Sequence, residues 1–334
     1  MDLNAAIKGL YKGTSLHRYQ VAADAFPPDF PLMLDVGAYS RVVEDPTGKR
    51  TKDLGVLLEK WGVTPFYRDG CPSKGPSQGS RKRLSLNYLA DDYEPKRLPD
   101  VNADCRHMPF DNASFPLVTA VDLMEHIPPE GRKEALREIV RVAGERAVLV
   151  FPYHSQRALD HELSVIEEIR EAGVEPPDAF VEHVRYGLPQ TEMFDAALRE
   201  MGVQFAKSYH GLMPIHERFS GLQSHFPKTD LWRQKEIGQI HELILDLSYL
   251  TSMLLHDTDY LATPGNSRRV RYVVFPGGEQ ADMPSTEPPA GALQKSPEDY
   301  IGASGSLISG NNMSLLVNLF GQIMEARKTA AGSN

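Results

Sequence analysis

The sequence predicts an α/β protein. Its core is a doubly wound, mostly parallel sheet of seven strands, with helices on both faces and a helical insertion before the last strand. Three observations predict this. Short apolar runs rich in β-branched residues alternate with amphipathic segments along the first half of the chain. Several of these runs are continuously apolar, as strands buried on both faces are. Glycine or a polar residue follows each of the first four, where an open parallel sheet binds its ligands.

"LMLDV" at 32–36 is the first strand, "RLSLNYL" the second, ending near Asn87, and the stretch from Val101 to Asp104 the third. "FPLVTAVDL" is the fourth, with β-branched Val118, Thr119 and Val121, and "RAVLVFPY" the fifth. Between them, Ala135, Leu136, Ile139, Val140 and Ala143 recur at helical spacing, opened by Pro128 and Pro129 and stopped by Gly144. Leu159, Leu163, Ile166 and Ile169 mark the next helix, and "QTEMFDAALREMG" another before the strand "VQFAKSYHG". A long Leu-, Ile- and Met-rich helix at 229–256 precedes the last strand, "RRVRYVVF", which ends in the turn at Gly277 and Gly278.

Residues 1–278 therefore read as one domain, with a basic loop insertion at about 68–83 and a helical insertion at about 215–262. A helix, "TKDLGVLLEKWG", is expected within 51–62. Lys74, Arg81, Lys82 and Arg83 give the loop its charge, suited to an anionic substrate or simply to solvent. Residues 279–310 read as a flexible Pro-, Ser- and Glu-rich linker, and 311–329 as a C-terminal helix that docks on its own domain or takes a second copy or another protein as partner.

Composition narrows the class. With 41% hydrophobic and 24% charged residues the chain is of ordinary globular type. A net charge of -9 argues against nonspecific binding to nucleic acid or anionic lipid. Two cysteines, Cys71 and Cys105, make neither a disulfide framework nor a metal-binding CxxC pattern. No signal peptide and no apolar run of membrane-spanning length is read, so the expectation is a cytoplasmic protein without membrane insertion.

The strand ends place Asp35, Gly37, Asn87, Asp104 and Asp122 across one edge of the sheet. A glycine at the first turn lets backbone approach a ligand, an acidic residue at the end of the second strand would hold ribose hydroxyls, and an acid after the third could accept from an exocyclic amine. Singly, each is common wherever strands end; together they read as one site.

The stretch "ADCRHMPFDNASFPLVTAVDLMEHIPPEGRKEALREIVRVAGERAVLVFPY" resembles the central region of class I S-adenosylmethionine-dependent methyltransferases. It carries Asp104 ahead of Met108-Pro109-Phe110, then Ser114-Phe115, then Met124-Glu125-His126-Ile127 after the fourth strand. "VEHVRYGLPQTEMFDAALREMG" is similar to a segment of a bacterial subgroup associated with glycan and cell-envelope biosynthesis. The resemblance covers roughly residues 30–275. It implies a Rossmann-like fold, S-adenosylmethionine as cofactor, and a role in polysaccharide biosynthesis, with O-methylation of a sugar or glycan-type small molecule. It further implies cofactor contacts at Asp35, Gly37, Ala38, Tyr39, Asn87, Asp104, Cys105, Asp122 and His126.

The chain departs from the family's acidic-x-Gly-x-Gly-x-Gly loop, reading Asp35-Val36-Gly37-Ala38-Tyr39-Ser40-Arg41 with only the first glycine kept. Asn87 stands where the family has the ribose-binding acid; Asp91 and Asp92 follow in the loop beyond. This leaves a second reading, a catalytically silent methyltransferase-fold protein that serves as a binding or regulatory partner. A nicotinamide-dependent dehydrogenase is the weakest reading, because the GxGxxG spacing is absent.

Transfer to a hydroxyl needs a base near the strand ends, and His154, His183 and Glu182 are the candidates, with His126 supporting the cofactor. No metal is expected. His154, His161, Glu162 and His183 are suitable ligands, but adjacent His161 and Glu162 point in different directions from one helix. Tyr153, Tyr186 and Trp232 could stack on a sugar or belong to the core.

Overall fold

The computed structural model of the protein describes residues 15–27, 30–38, 41–42, 63–65, 67–68, 71–72, 81–88, 97–171, 173, 175–176, 178–224, 238–278, 295–304 and 313–331. Among the described residues twelve strands run in chain order: β1 (Leu32–Val36), β2 (Arg41–Val42), β3 (Val63–Pro65), β4 (Tyr67–Arg68), β5 (Cys71–Pro72), β6 (Arg81–Asn87), β7 (Arg97–Leu98), β8 (Val101–Asn102), β9 (Phe115–Val121), β10 (Ala143–Pro152), β11 (Gln204–Leu212) and β12 (Ser267–Phe275). The helices are α1 (Ser15–Ala23), α2 (Pro129–Val142), α3 (Gln156–Glu171), α4 (Asp178–Tyr186), α5 (Thr191–Glu200), α6 (Met213–Ser224), α7 (Gly238–Thr258), α8 (Pro297–Ser304) and α9 (Met313–Ala331).

The main sheet has the order β11-β12-β10-β9-β1-β6-β3, with β8 also on β6. β3 pairs with residues Arg81 to Arg83 of β6 and β8 with Leu86 and Asn87, so the two short strands share one edge. The sheet thus has the seven strand positions expected. β12 is antiparallel to both β10 and β11, and the other pairings of this sheet are parallel. The strand order reverses between β1 and β9, which opens a crevice beyond their carboxyl ends.

Hydrophobic cores on both faces hold the sheet. On one, Ala135, Leu136 and Ile139 of α2 and Phe194 and Leu198 of α5 pack on Leu34, Val118 and Leu149. On the other, Val21 and Ala22 of α1 and Tyr249 of α7 cover Met33, Val148 and Val273. A third cluster lies among α6 to α9, joining Phe219, Leu247 and Leu254 to Tyr300, Phe320 and Ile323. Leu316, Phe320, Ile323 and Met324 of α9 are therefore covered within the chain, by α6, α7 and α8. No helix among the described residues is long and apolar enough to cross a membrane.

Some sequence expectations shift. The insertion contains two helices, α6 and α7, rather than one; residues 229–237 of the expected long helix lie outside the described residues. The expected linker contains α8, whose first turn Ser296 and Asp299 close reciprocally. Ser296 N donates to Asp299 Oδ2 at 2.7 Å and Asp299 N to Ser296 Oγ at 3.3 Å, with Pro297 at the first position. The basic run of the loop is partly strand, because β6 begins at Arg81. The helix read within 51–62, Lys74, and Trp232 lie outside the described residues.

Candidate functional site

A cavity of about 310 Å³ opens at the carboxyl ends of β1, β6, β8 and β9. Its size lies at the lower end of the ~300–1,000 Å³ usual for small-molecule sites. Gly37, Asn87, Asp104, Cys105, His126 and Glu182, all named from the sequence, line it. Tyr88, Arg106, Leu123 and Pro128 complete much of the wall.

Gly37 turns the chain directly after β1 with φ +85°, and a Cβ there would meet Leu123 Cδ1 at 3.1 Å. Both the backbone angle and the close approach require glycine. Its N–H donates to Leu86 O at 2.7 Å, so the turn is tied to β6. Asn87 ends β6, its Oδ1 accepting from Tyr88 N at 2.9 Å.

Asp104 follows β8 and is gripped by Arg106, whose Nε and Nη2 donate to the carboxylate at 3.0 and 2.6 Å. These bonds hold the Asp104 carboxyl below its usual pKa. Arg106 was not anticipated; two residues from the acid, its side chain can fold back on it. Burial pushes the neighbouring Cys105 thiol up to about 11, so it stays protonated and unreactive at neutral pH.

Three of the expected cofactor contacts do not line the cavity. Asp35 is buried inside the sheet, bonded to Arg83 Nη1 at 3.0 Å and to Thr119 Oγ1 at 2.8 Å. It faces its strand neighbours, and Arg83 serves this ion pair rather than an anionic substrate. Asp122 does not line the cavity; its carboxylate pairs with the guanidiniums of Arg18 and Arg269. Ala38 is buried beside the cavity without lining it, its N–H donating to Leu86 O at 3.2 Å. Tyr39 lies outside the described residues.

The side wall is a histidine–carboxylate cluster. After β9, Met124–His126 forms a single 3₁₀ turn against which α4 packs. His126 Nδ1 is 2.8 Å from Glu182 Oε2, and the rings of His126 and His183 lie 5.0 Å apart. His183 Nδ1 is 3.4 Å from Glu162 Oε2 on α3, and its buried Nε2 has no hydrogen-bond partner among the described residues. Burial holds His126 below the usual histidine pKa, outweighing the bond to Glu182. Glu125, which the sequence reading quoted without a role, is fully buried in the same turn. Burial and the charge of Asp122 push its carboxyl well above the usual range. His154 follows β10 and does not line the cavity, and its buried Nδ1 has no partner among the described residues.

Two further histidine groups lie elsewhere. Ser208, His210, Asp259 and His17 form a relay with contacts of 2.8, 2.9 and 2.8 Å, but His17 and His210 are buried and none of the four lines the cavity. His216, on α6, packs edge-on against His161 at 5.0 Å. Burial, with Arg268 nearby, holds it well below the usual histidine pKa of 6.5. A depressed folded pKa contributes stability that is present above 6.5 and lost as pH falls below it. The thermal midpoint is therefore expected to fall between pH 6.5 and 5, with a contribution from His216 of up to ~1.4 kcal/mol per pH unit. His216→Gln should flatten that slope in melts across the range; an unchanged slope would show that His216 does not supply it.

Residues 79–151 match the family model of a methyltransferase domain. The match runs from the start of β6 almost to the end of β10 and includes Asn87, Asp104 and His126. No curated protein matches the chain. Among solved structures, an S-adenosylmethionine-dependent methyltransferase of Archaeoglobus fulgidus is similar at 12% identity, over 79% of this chain and 94% of its own, with a TM-score of 0.37. Phosphoethanolamine N-methyltransferase 2 of Haemonchus contortus is similar at 12% identity, over 77% and 52%, with a TM-score of 0.40. The protein crystallised with the Trm112 methyltransferase activator of Haloferax volcanii is similar at 12% identity, over 78% and 89%, with a TM-score of 0.38.

Proposed function

We propose that the protein is an S-adenosylmethionine-dependent methyltransferase acting on a hydroxyl of a sugar or glycan-type small molecule. The observation that carries this reading is the cavity at the strand-order reversal, lined in succession by Gly37, Asn87 and Asp104. The residues fit the nucleoside part of the donor. The glycine turn admits backbone approach, Asn87 offers amide donors to ribose oxygens, and Asp104 keeps lone pairs beyond those Arg106 uses for an exocyclic amine. The donor, when bound, supplies an electrophilic methyl group on a sulfonium. The chain's task is to hold the acceptor oxygen in line and take its proton. Glu182 is the group for that proton, since it lines the cavity and is held in place by His126 Nδ1–H. The sugar acceptor rests on the resemblance of the segment containing Glu182 and His183 to enzymes of envelope-glycan synthesis.

Calorimetric titration with S-adenosylmethionine and S-adenosylhomocysteine tests the donor site. Micromolar binding is expected, weakened about 10- to 100-fold in Asp104→Ala, the range for a lost bond to a charged group. Sugars screened as acceptors should then show lower kcat with Glu182→Gln at unchanged donor affinity. No heat and no thermal shift at millimolar donor would replace this reading with that of a silent binding protein.

A further inference from the structure

We propose that Glu125, His126 and His183 bind one divalent transition-metal ion of the zinc class at the edge of the cavity. The site stands whether or not methyl transfer is the reaction. Each residue offers one ligand atom, and these atoms lie within 4.8 Å of one another. Ligands held tetrahedrally at ~2.0–2.1 Å from one ion lie ~3.3–3.4 Å apart, so side-chain shifts that shorten the separations by up to ~1.5 Å close the set.

The chemistry of the set is specific. Two imidazoles and one carboxylate suit zinc, iron(II) or cobalt(II) rather than magnesium or calcium, which take oxygen ligands. Both imidazoles already have the outer partner that ligating histidines carry. Glu182 takes Nδ1 of His126 at 2.8 Å and Glu162 takes Nδ1 of His183 at 3.4 Å. That arrangement fixes both rings with Nδ1 as the donor and leaves the Nε2 lone pairs for an ion.

A second observation points the same way. Both carboxylate oxygens of Glu125 and Nε2 of His183 are buried and have no hydrogen-bond partner among the described residues. Buried polar atoms in folded proteins are almost always satisfied, so unpartnered atoms on two residues of the set call for a partner. Of the other acids nearby, Asp122 is engaged by Arg18 and Arg269, Glu182 by His126 and Glu162 by His183, so the carboxylate of the set is Glu125. Three protein ligands leave coordination positions open. His126 and Glu182 line the cavity, so the ligand class for the open positions is an oxygen donor held there, such as a hydroxyl or carboxylate.

The test is metal titration of the chelator-treated full chain with Zn²⁺ and Co²⁺, followed by calorimetry and by the visible absorption of bound cobalt. One ion per chain is expected, with a cobalt spectrum of mixed nitrogen and oxygen ligation. His183→Ala and Glu125→Gln should lose that stoichiometric binding, and Glu182→Gln should weaken it about 10- to 100-fold, as outer-partner changes do. His107→Ala, at an exposed histidine away from the set, should leave it unchanged. Thermal melts identify any variant that fails to fold; if Glu125→Gln does, His183→Ala decides the matter. No uptake of either ion at millimolar concentration, or full uptake by a folded His183→Ala, would overturn the site. Donor titration of the same samples separates the two readings: ion uptake without donor binding sinks only methyl transfer, and donor binding without ion uptake sinks only the metal.

Discussion

Arg83→Met is expected to destabilise the protein by ~3–5 kcal/mol, the usual cost of removing one partner of a buried ion pair. Arg83 on β6 and Asp35 on β1 bond at 3.0 Å, and each side chain is only 3% exposed. The Asp35 carboxylate also accepts from Thr119 of β9 at 2.8 Å, so one acid ties three neighbouring strands at the centre of the sheet. Without the guanidinium, that carboxylate loses its bond to Arg83 where water cannot replace it. Replacing both residues, as Asp35→Leu with Arg83→Met, should recover most of the loss, because two apolar side chains leave no buried charge. Urea unfolding of the two variants checks both statements. A single variant within ~1 kcal/mol of the parent would show that the pair contributes little.

The second large effect is expected at Asp122. Its carboxylate is shared by Arg18 of α1 and Arg269 of β12, the latter also donating through Nη2 at 3.0 Å. Burial acts to raise its pKa, but the two guanidiniums outweigh it and hold the carboxyl far below the usual range. Asp122 also has φ +50°, a left-handed conformation that Asn tolerates and Ala resists. Asp122→Asn should therefore cost ~3–5 kcal/mol through charge alone, and Asp122→Ala ~1–2 kcal/mol more through the backbone. Because the folded pKa is depressed, the contribution is complete above the unfolded value of about 4 and declines as the solution becomes more acid. Denaturation at pH 7 and at strongly acid pH reads this directly. Equal losses for Asn and Ala would remove the backbone part of the argument.

The strands of the sheet were readable because apolar runs such as "LMLDV" and "RAVLVFPY" are short, continuous and bounded. The start of β6 was not, because Arg81-Lys82-Arg83 has the composition of a solvent loop, and only Asp35 on the neighbouring strand gives Arg83 a reason to be inside. α4 was missed as a helix because none of its residues is buried, so its apolar spacing reports no core face. At the site, Gly37, Asn87 and Asp104 were legible from their positions after strands. His126, Glu182 and His183 were legible as candidates, but not as one cluster, since the bond joining His126 to Glu182 spans 56 positions of the chain. The positional rule that named Gly37, Asn87 and Asp104, which line the cavity, also named Asp35 and Asp122, which do not. Whether a strand-end acid faces a ligand or an arginine depends on distant residues, here Arg83 and Arg269. Glu125 was passed over because a charged residue in a turn is ordinarily solvated.

The position of β12 has a consequence for how the chain acquires its structure. It lies between β10 and β11, antiparallel to both, so β11 joins the sheet only through a strand that begins more than 50 residues after it ends. During synthesis, the edge of β10 stays unpaired and β11 stays detached until residue 275 has left the ribosome. Closure of such a long loop is slow, and the exposed edge is a template for pairing with other chains in the meantime. The nascent protein is therefore most vulnerable late, just before its last strand slots into place.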